Sequence, residues 1–554
     1  MQGPDDRGYW HIQLEDAQPG MDYAFLLDDD PTPYPDPRSC SQPQGVDGPS
    51  RLYDHRAFQW TDGTWQGPPL SSAVIYELHV GTFTPDGTLD SAIEKIPYLC
   101  DLGVTHIEVM PVAEAAGDHG WGYDGVDLFA VNHHYGGPDA LKRFVDACHA
   151  NGLAVLLDVV YNHFGPVGNY TGKFGPYVTD KHRTPWGPAI NFEDIGSDEV
   201  RSFFFDNAAM WLRDFHVDGL RLDAIHEIMD RSAVHFLEDL SAHVNNLSAM
   251  LGRSLVLIAE SDLNNPMIVA PIDARGFGMD AQWSDDFHHA LFTILHQEAG
   301  GYYDDFGTIA ALAKAIKEVF VYDGNYSAYR KRSHGRPVNG LSSHRFVVCI
   351  QNHDQVGNRA VGDRLEHLIG PARTKVALGI LLTSPFVPLL FQGEEFAASS
   401  PFMYFADHKD PEMAKSVAAG RKKEFAAFGW DEDRIPDPED CQTFLNSQLQ
   451  WDEVGEPRHT DMLQWTRRLV HLRRNSSCLN DGDPSHVRVS FDEEKKWLRI
   501  DRKLLSILVN LGKESVEFEA LPDQQLVLSS APDVKLDAVR LELPPDALAV
   551  LSAE

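Results

Sequence analysis

The run FHVDGLRLDAIHEI, residues 215–228, places two charges inside an apolar strand pattern. Strand side chains alternate faces, so Arg221 and Asp223 share one face while Leu220 and Leu222 share the other. A buried charge is costly unless it is paired, so the charged face needs an explanation. Three other apolar runs end in a similar way. LAVLLDVVYNH (153–163) carries Asp158, Asn162 and His163, LVLIAESD (255–262) carries Glu260, and FVVCIQNHD (346–354) ends in His353 and Asp354. A single carboxylate at a strand end often caps the next helix; four of them, with an arginine and histidines, point to a shared site. Arg221 can pair with Asp223 and Asp158 and hold Asp223 ionised, as a nucleophile must be. Glu260, leaving an apolar run beside other carboxylates, is expected to hold a proton. One ionised and one protonated carboxyl is the requirement of glycoside hydrolysis.

Other chemistries fit less well. The phosphate cradle GxxxxGK[ST] is absent. Histidines are scattered and HExxH does not occur, so no metal site and no cofactor are expected. Trp121 and Tyr123 in WGYDG (121–125) could stack on pyranose rings or pack in the core.

These residues need a scaffold that brings strand ends together. From about residue 73 apolar strand-like runs alternate with helical ones. The strand candidates are AVIYELHV (73–80), VTHIEVMPV (104–112), the four runs above, GMDAQWSDD (278–286) and VPLLFQGEE (387–395). Between them, LDSAIEKIPYLCDLG (89–103), PDALKRFVDACHANG (138–152) and SDEVRSFFFDNAAMWLRDF (197–215) carry helical spacing. Alternation of this kind implies a parallel sheet. Eight strand candidates indicate an α/β protein built on a (β/α)₈ TIM barrel, whose site lies at the C-terminal strand ends; a doubly wound open sheet is the alternative. Helix-like HTDMLQWTRRLVHLRRN (459–475) closes the barrel, and short strands after it read as a C-terminal β-sandwich over 476–554. Residues 1–66, with strand candidates YWHIQL (9–14) and MDYAFLLD (21–28), read as a partial N-terminal β-sandwich module and linker before the catalytic barrel at 67–475. Such a short module leaves an open edge, so a form extended at its N-terminus is expected to be more stable.

DVVYNH (158–163), GLRLDAIHE (219–227), AES (259–261) and QNHDQ (351–355) resemble the four ordered signature regions of the α-amylase superfamily of retaining glycoside hydrolases. The resemblance implies Asp223 as nucleophile, Glu260 as general acid and then base, and Asp354 as the residue that binds the distorted sugar. It implies that Arg221 orients Asp223, that His163 and His353 hydrogen-bond sugar hydroxyls, that Tyr123 stacks beneath the ring, and that Asp158 and Asn162 are supports. PTPYPDPRSCSQPQGVDGPSR (31–51), WSDDFHHA (283–290), QGEEFAASSPFMYFADH (392–408) and GRKKEFAAF (420–428) resemble the maltooligosyltrehalose trehalohydrolase branch. That resemblance implies maltooligosyltrehalose or a related α-glucan as substrate and a pathway neighbour, maltooligosyltrehalose synthase, without implying a complex. Asp286, His288 and His289 then become candidates for the terminal disaccharide, with a solvated loop as the alternative. Glu394 and Glu395 are either sugar contacts or caps. Glycogen branching, ordinary α-amylase action and an inactive sugar-binding relative are the competing functions.

The formal net charge of −36 over 554 residues argues against nucleic-acid or anionic-membrane partners. No run of eighteen apolar residues occurs, and the N-terminus lacks the pattern of a signal peptide. Six scattered cysteines suit free thiols in a reducing cytoplasm.

Overall fold

The computed structural model describes residues 1–297, 300–425 and 434–553. Its centre is a closed barrel of eight parallel strands. The strands are β1 (Ile75–Leu78), β2 (His106–Val109), β3 (Ala154–Val159), β4 (Gly219–Leu222), β5 (Val256–Ala259), β6 (Ala281–Trp283), β7 (Phe346–Cys349) and β8 (Val387–Phe391). Each pairs with its sequence neighbours, and β8 closes on β1. All eight expected strands form, including GMDAQWSDD, whose strand is three residues long.

Helices follow most strands. Leu89–Ile93 and Ile96–Leu102 follow β1, Gly137–Ala150 follows β2, Ser197–Ala209 follows β3 and Phe236–Leu251 follows β4. Asp285–His296 and Ile309–Glu318 follow β6, Leu365–Thr383 follows β7 and Pro457–Asn475 follows β8. The β5–β6 connection is different: it contains only the 3₁₀ turns Pro266–Ile268 and Ile272–Ala274. Leu220 and Leu222 join the large apolar cluster between strands and helices, so Arg221 is turned into the barrel. Close strand approach at β4 depends on Gly219, where a Cβ would sit 2.4 Å from Val256 Cγ2.

The barrel interior is layered. Ile75, Leu156, Ile258, Val347 and Leu389 belong to an apolar cluster inside it. Two residues further along their strands come Glu77 and Asp158, with Glu108 paired in register to Glu77 and Arg221 to Asp158. A band of buried charge therefore lies above the apolar one.

The C-terminal domain consists of β9 (Val487–Asp492), β10 (Trp497–Arg502), β11 (Leu505–Asn510), β12 (Val516–Glu519), β13 (Gln525–Ser529), β14 (Leu536–Asp537), β15 (Arg540–Leu543) and β16 (Ala547–Ser552). They form sheets of order β9-β10-β11-β16-β13 and β12-β15-β14, the expected sandwich.

Residues 1–52 carry little regular strand. YWHIQL makes no strand beyond an isolated bridge, Gln2 to His11, and MDYAFLLD keeps Asp22–Tyr23 paired with Ser50–Arg51 and an isolated bridge from Phe25 to Tyr34. An alternating run needs a neighbouring ladder and a face to bury, and here Trp10, Ile12 and Leu14 remain exposed. Residues 53–66 instead strap the outside of the barrel. Lys142 Nζ donates to His55 O and lies over the rings of Tyr53 and Phe58, while Trp65 Nε1 donates to Asp218.

Candidate active site

Arg221 is the hub of the charged band. It is completely buried, and its Nη1 lies 2.8 Å from Asp158 Oδ2 and 3.0 Å from Asp223 Oδ1. Its Nη2 forms an ion pair with Glu260 Oε2 at 2.8 Å. The guanidinium also lies 4.3 Å from the centre of the Trp283 ring, a stacking arrangement that suits its planar cation. One cation thus touches three carboxylates that arrive from three strands.

Asp223 follows β4 directly. Asn162 Nδ2 donates to its Oδ2 at 2.8 Å and to its carbonyl at 2.7 Å, which fixes the side chain from the β3 end. The chain then turns through Ala224, whose φ of 38° is left-handed. A residue with a Cβ adopts this only when its surroundings demand it. Here the turn aims the Ala224 N–H at Glu260 Oε2, 2.8 Å away. Glu260 thus leaves its apolar strand to meet a cation and a peptide N–H.

Asp158 carries a different load. Burial pushes its carboxyl up to about 7, although Arg221 pulls it down. Tyr123 donates to it at 2.6 Å, and the same hydroxyl lies 2.8 Å from His353 Nε2. His353 packs face to face with the Tyr123 ring, and its Nδ1 donates to Glu77 at 2.5 Å. Burial disfavours the imidazolium, but the Glu77 and Asp354 carboxylates outweigh it and raise His353 to about 9. Asp354 follows it, with a side chain 38% exposed and with Asn358 donating to it at 3.2 Å. Arg421, from the GRKKEFAAF run, donates in turn to Asn358 Oδ1; residues 426–428 of that run lie outside the described residues.

A cleft of about 290 Å³ has Asp354 in its wall, with Asp262, Asp285, His289, Tyr302, Tyr329 and Arg330. Asp285 is the carboxyl that sequence reasoning passed over: burial, Glu260 and Asp354 push it up to about 7. His289 stacks on Tyr302, and burial pushes it down to about 3, so its imidazole is neutral.

Several sequence candidates have other duties. Trp121 belongs to the core: its indole N–H donates to Met403 O, its ring stacks on Phe402, and a Cβ at Gly357 would lie 2.1 Å from it. Asp286 contributes to the cleft wall, but its Oδ2 accepts from Val321 N, Tyr322 N and Asn264 Nδ2 and so anchors a loop. His288 is buried against Phe292, outside the residues that line the cleft. His163 has Nε2 at 3.1 Å from the Tyr123 carbonyl oxygen and Nδ1 against Asn162. Its ring instead supports Trp186, stacked 4.5 Å away and half exposed. Glu394 accepts from Phe391 N, and Glu395 accepts from the Tyr76 and Tyr98 hydroxyls, so both are internal supports. Among the described residues, no group of three or more His, Cys, Asp or Glu side chains is arranged to hold a metal ion.

The model "Alpha amylase, catalytic domain" matches residues 49–183, and "Domain of unknown function (DUF3459)" matches residues 483–550. The malto-oligosyltrehalose trehalohydrolase of Rhizobium sp. (strain M-11) is 47% identical over 551 residues, 99% of this chain and 92% of its own length. That of Brevibacterium helvolum is 45% identical over 554 residues, 99% of this chain and 94% of its own length. The chain belongs to the malto-oligosyltrehalose trehalohydrolase family. A solved structure titled putative alpha amylase, from Salmonella typhimurium, superposes with a TM-score of 0.91 at 38% identity, covering 100% of this chain and 94% of that one. In this member of the trehalohydrolase family, the four motif regions close β3, β4, β5 and β7 around Arg221.

Proposed function

We propose that this enzyme hydrolyses, with retention, the α-1,4-glucosidic bond next to the terminal trehalose of maltooligosyltrehalose, releasing trehalose and a maltooligosaccharide. The observation that carries the chemistry is the seating of Asp223 and Glu260 on one guanidinium. Asp223, fixed by Arg221 and Asn162, attacks the anomeric carbon and forms a β-glycosyl ester. Glu260 gives a proton to the departing oxygen and in the second half takes one from water. Asp354 holds the hydroxyls of the distorted sugar, the His353 imidazolium 3.6 Å away steadies its carboxylate, and Tyr123 braces both Asp158 and His353.

The cleft beside Asp354 supports the choice of leaving group. It combines carboxyls, the neutral His289, Arg330 and the Tyr302 and Tyr329 rings in one wall. Such a surface offers stacking faces together with donors and acceptors to a compact, hydroxyl-rich disaccharide. A cytoplasmic location accords with six free cysteines, and among the described residues no helix is long and apolar enough to cross a membrane. A synthase that caps maltooligosaccharides with trehalose would supply the substrate.

Maltotriosyltrehalose and maltopentaose, given separately, test the proposal by chromatography of the products. Trehalose plus maltotriose from the first, with slow attack on the second, is the expected result. Rapid cleavage of maltopentaose, or new α-1,6 branches, would contradict it.

A further inference from the structure

Glu108 lies in the charged band but takes no part in the mechanism above. It is completely buried, and neither carboxyl oxygen accepts a hydrogen bond from an N–H or O–H group of the described residues. The charged groups that face it are Glu77 from β1, Asp158 from β3, Arg221 from β4 and His353 from the loop after β7. Both cations already serve other carboxylates: Arg221 meets Asp158, Asp223 and Glu260 through Nη1 and Nη2 while its Nε has no hydrogen-bond partner among the described residues, and His353 meets Glu77. An ionised Glu108 would therefore be a fifth buried carboxylate, beside Glu77, Asp158, Asp223 and Glu260, on the same two cations, which is costly. Burial and the Glu77 carboxylate both favour the protonated form. A carboxyl that keeps its proton has a donor to place. The Glu77 carboxylate is its register partner on the adjacent strand and the foremost charged neighbour.

We propose that Glu108 is a positioning residue for the reaction: its carboxyl O–H is shared with Glu77, and this fixes the Glu77 carboxylate that grips His353. No covalent bond changes. Glu108 supplies the proton of the hydrogen bond, Glu77 supplies the lone pair, and Glu77 remains the anion opposite the imidazolium. His353, held at Nδ1 and at its backbone N–H by Glu77, then presents Nε2 to Tyr123 and stands 3.6 Å from Asp354. The role rests on the assignment of Asp354, steadied by His353, to the reacting sugar.

Infrared difference spectroscopy of the wild-type enzyme against Glu108→Gln, at pH 7 without substrate, reads the proton directly. The wild type is expected to carry one un-ionised carboxyl stretch that the variant lacks. The glutamine amide can replace the donated N–H for O–H, so kcat of Glu108→Gln should stay within about threefold of wild type. Glu108→Leu keeps the bulk and loses the donor; its kcat should fall at least about tenfold with KM within about twofold. Loss of a carboxylate band in Glu108→Gln, loss of most activity in that variant, or equal activity of the Gln and Leu variants would each overturn the proposal. If Glu108→Leu fails to fold, the spectrum and the Gln kinetics still decide. A lost un-ionised band together with full activity in Asp223→Asn would locate the failure in the catalytic assignment, not in Glu108.

Discussion

At the scale of residues, the site is one cation surrounded by carboxylates. Asp223→Asn removes the proposed nucleophile but keeps its hydrogen-bonding shape, so turnover should fall by about 10³-fold or more while Tm barely moves. Substantial activity in that variant, in steady-state assays, would refute the role. Arg221→Lys keeps a charge and loses the planar fork that reaches Asp158, Asp223 and Glu260 together. The account gives kcat/KM lower by about 10²-fold, and a value near wild type would count against the hub. The raised His353 gives a pH signature. With its folded value raised to about 9, the imidazolium survives through neutral pH, and kcat/KM should decline as pH rises through that value. Glu77→Gln removes the counter-charge and should move this alkaline limb to lower pH by about one unit or more; an unmoved limb would contradict the pairing. Arg221 and Asp223 were legible because charges interrupt an apolar strand. Glu77 and Glu108 carry the same signal in IYELHV and THIEVMPV, but inside their strands, where a lone carboxylate in a short apolar run does not reveal its face. Trp121 could not be separated from a sugar platform in sequence, because packing and stacking use the same ring; its commitment to Met403 and Gly357 is a tertiary fact.

At the scale of elements, all eight barrel strands were legible, since each carries a short apolar run between helical spacings. YWHIQL was misread, because alternation states which face would be buried but not whether a partner ladder exists. The strap before the barrel depends on a clamp of a different kind. His149 Nδ1 lies 2.8 Å from Asp62 and Nε2 2.9 Å from Asp218, joining the strap to the base of β4. Burial lowers the pKa of His149, but hydrogen bonds to Asp218 and Asp62 outweigh it, and the folded value is raised. A raised histidine contributes stability that is full below its unfolded value of about 6.5 and is lost as pH rises through the folded value. Asp218 is lowered despite its burial, through the His149 hydrogen bond, so its share is present above about 3.9 and is lost in acid. The clamp is therefore strongest between these two unfolded values. His149→Gln should lower Tm more at pH 6 than at pH 9, as scanning calorimetry would record; equal losses would show that the histidine is not the charged partner.

At the scale of the whole molecule, 83 acidic against 47 basic side chains leave a large negative surplus. Like charges on one compact body repel, and salt screens them over about 10 Å at 0.1 M. Tm should rise as sodium chloride is increased from about 10 mM to about 0.5 M. A flat or falling Tm would mean that local ion pairs outweigh the net charge. The net charge argues against a nucleic-acid partner, and the strand ends point to the proposed catalytic face. The cleft that suits the disaccharide was legible only in part. Its wall draws on the loops after β5, β6 and β7, spread from Asp262 through Tyr329 to Asp354, and no spacing rule in the sequence brings Tyr302, Tyr329 and Arg330 together.

The central claim is that Asp223 bonds covalently to the sugar while Glu260 handles the proton. Glu260→Gln should form the ester from an activated glycosyl fluoride but break it down slowly. Mass spectrometry of its peptides after such an incubation tests the claim most directly. The account predicts a glycosyl adduct on the peptide that contains Asp223, absent when Asp223 is also replaced by Asn. An adduct on another residue, or full turnover with inversion at the anomeric centre, would contradict it.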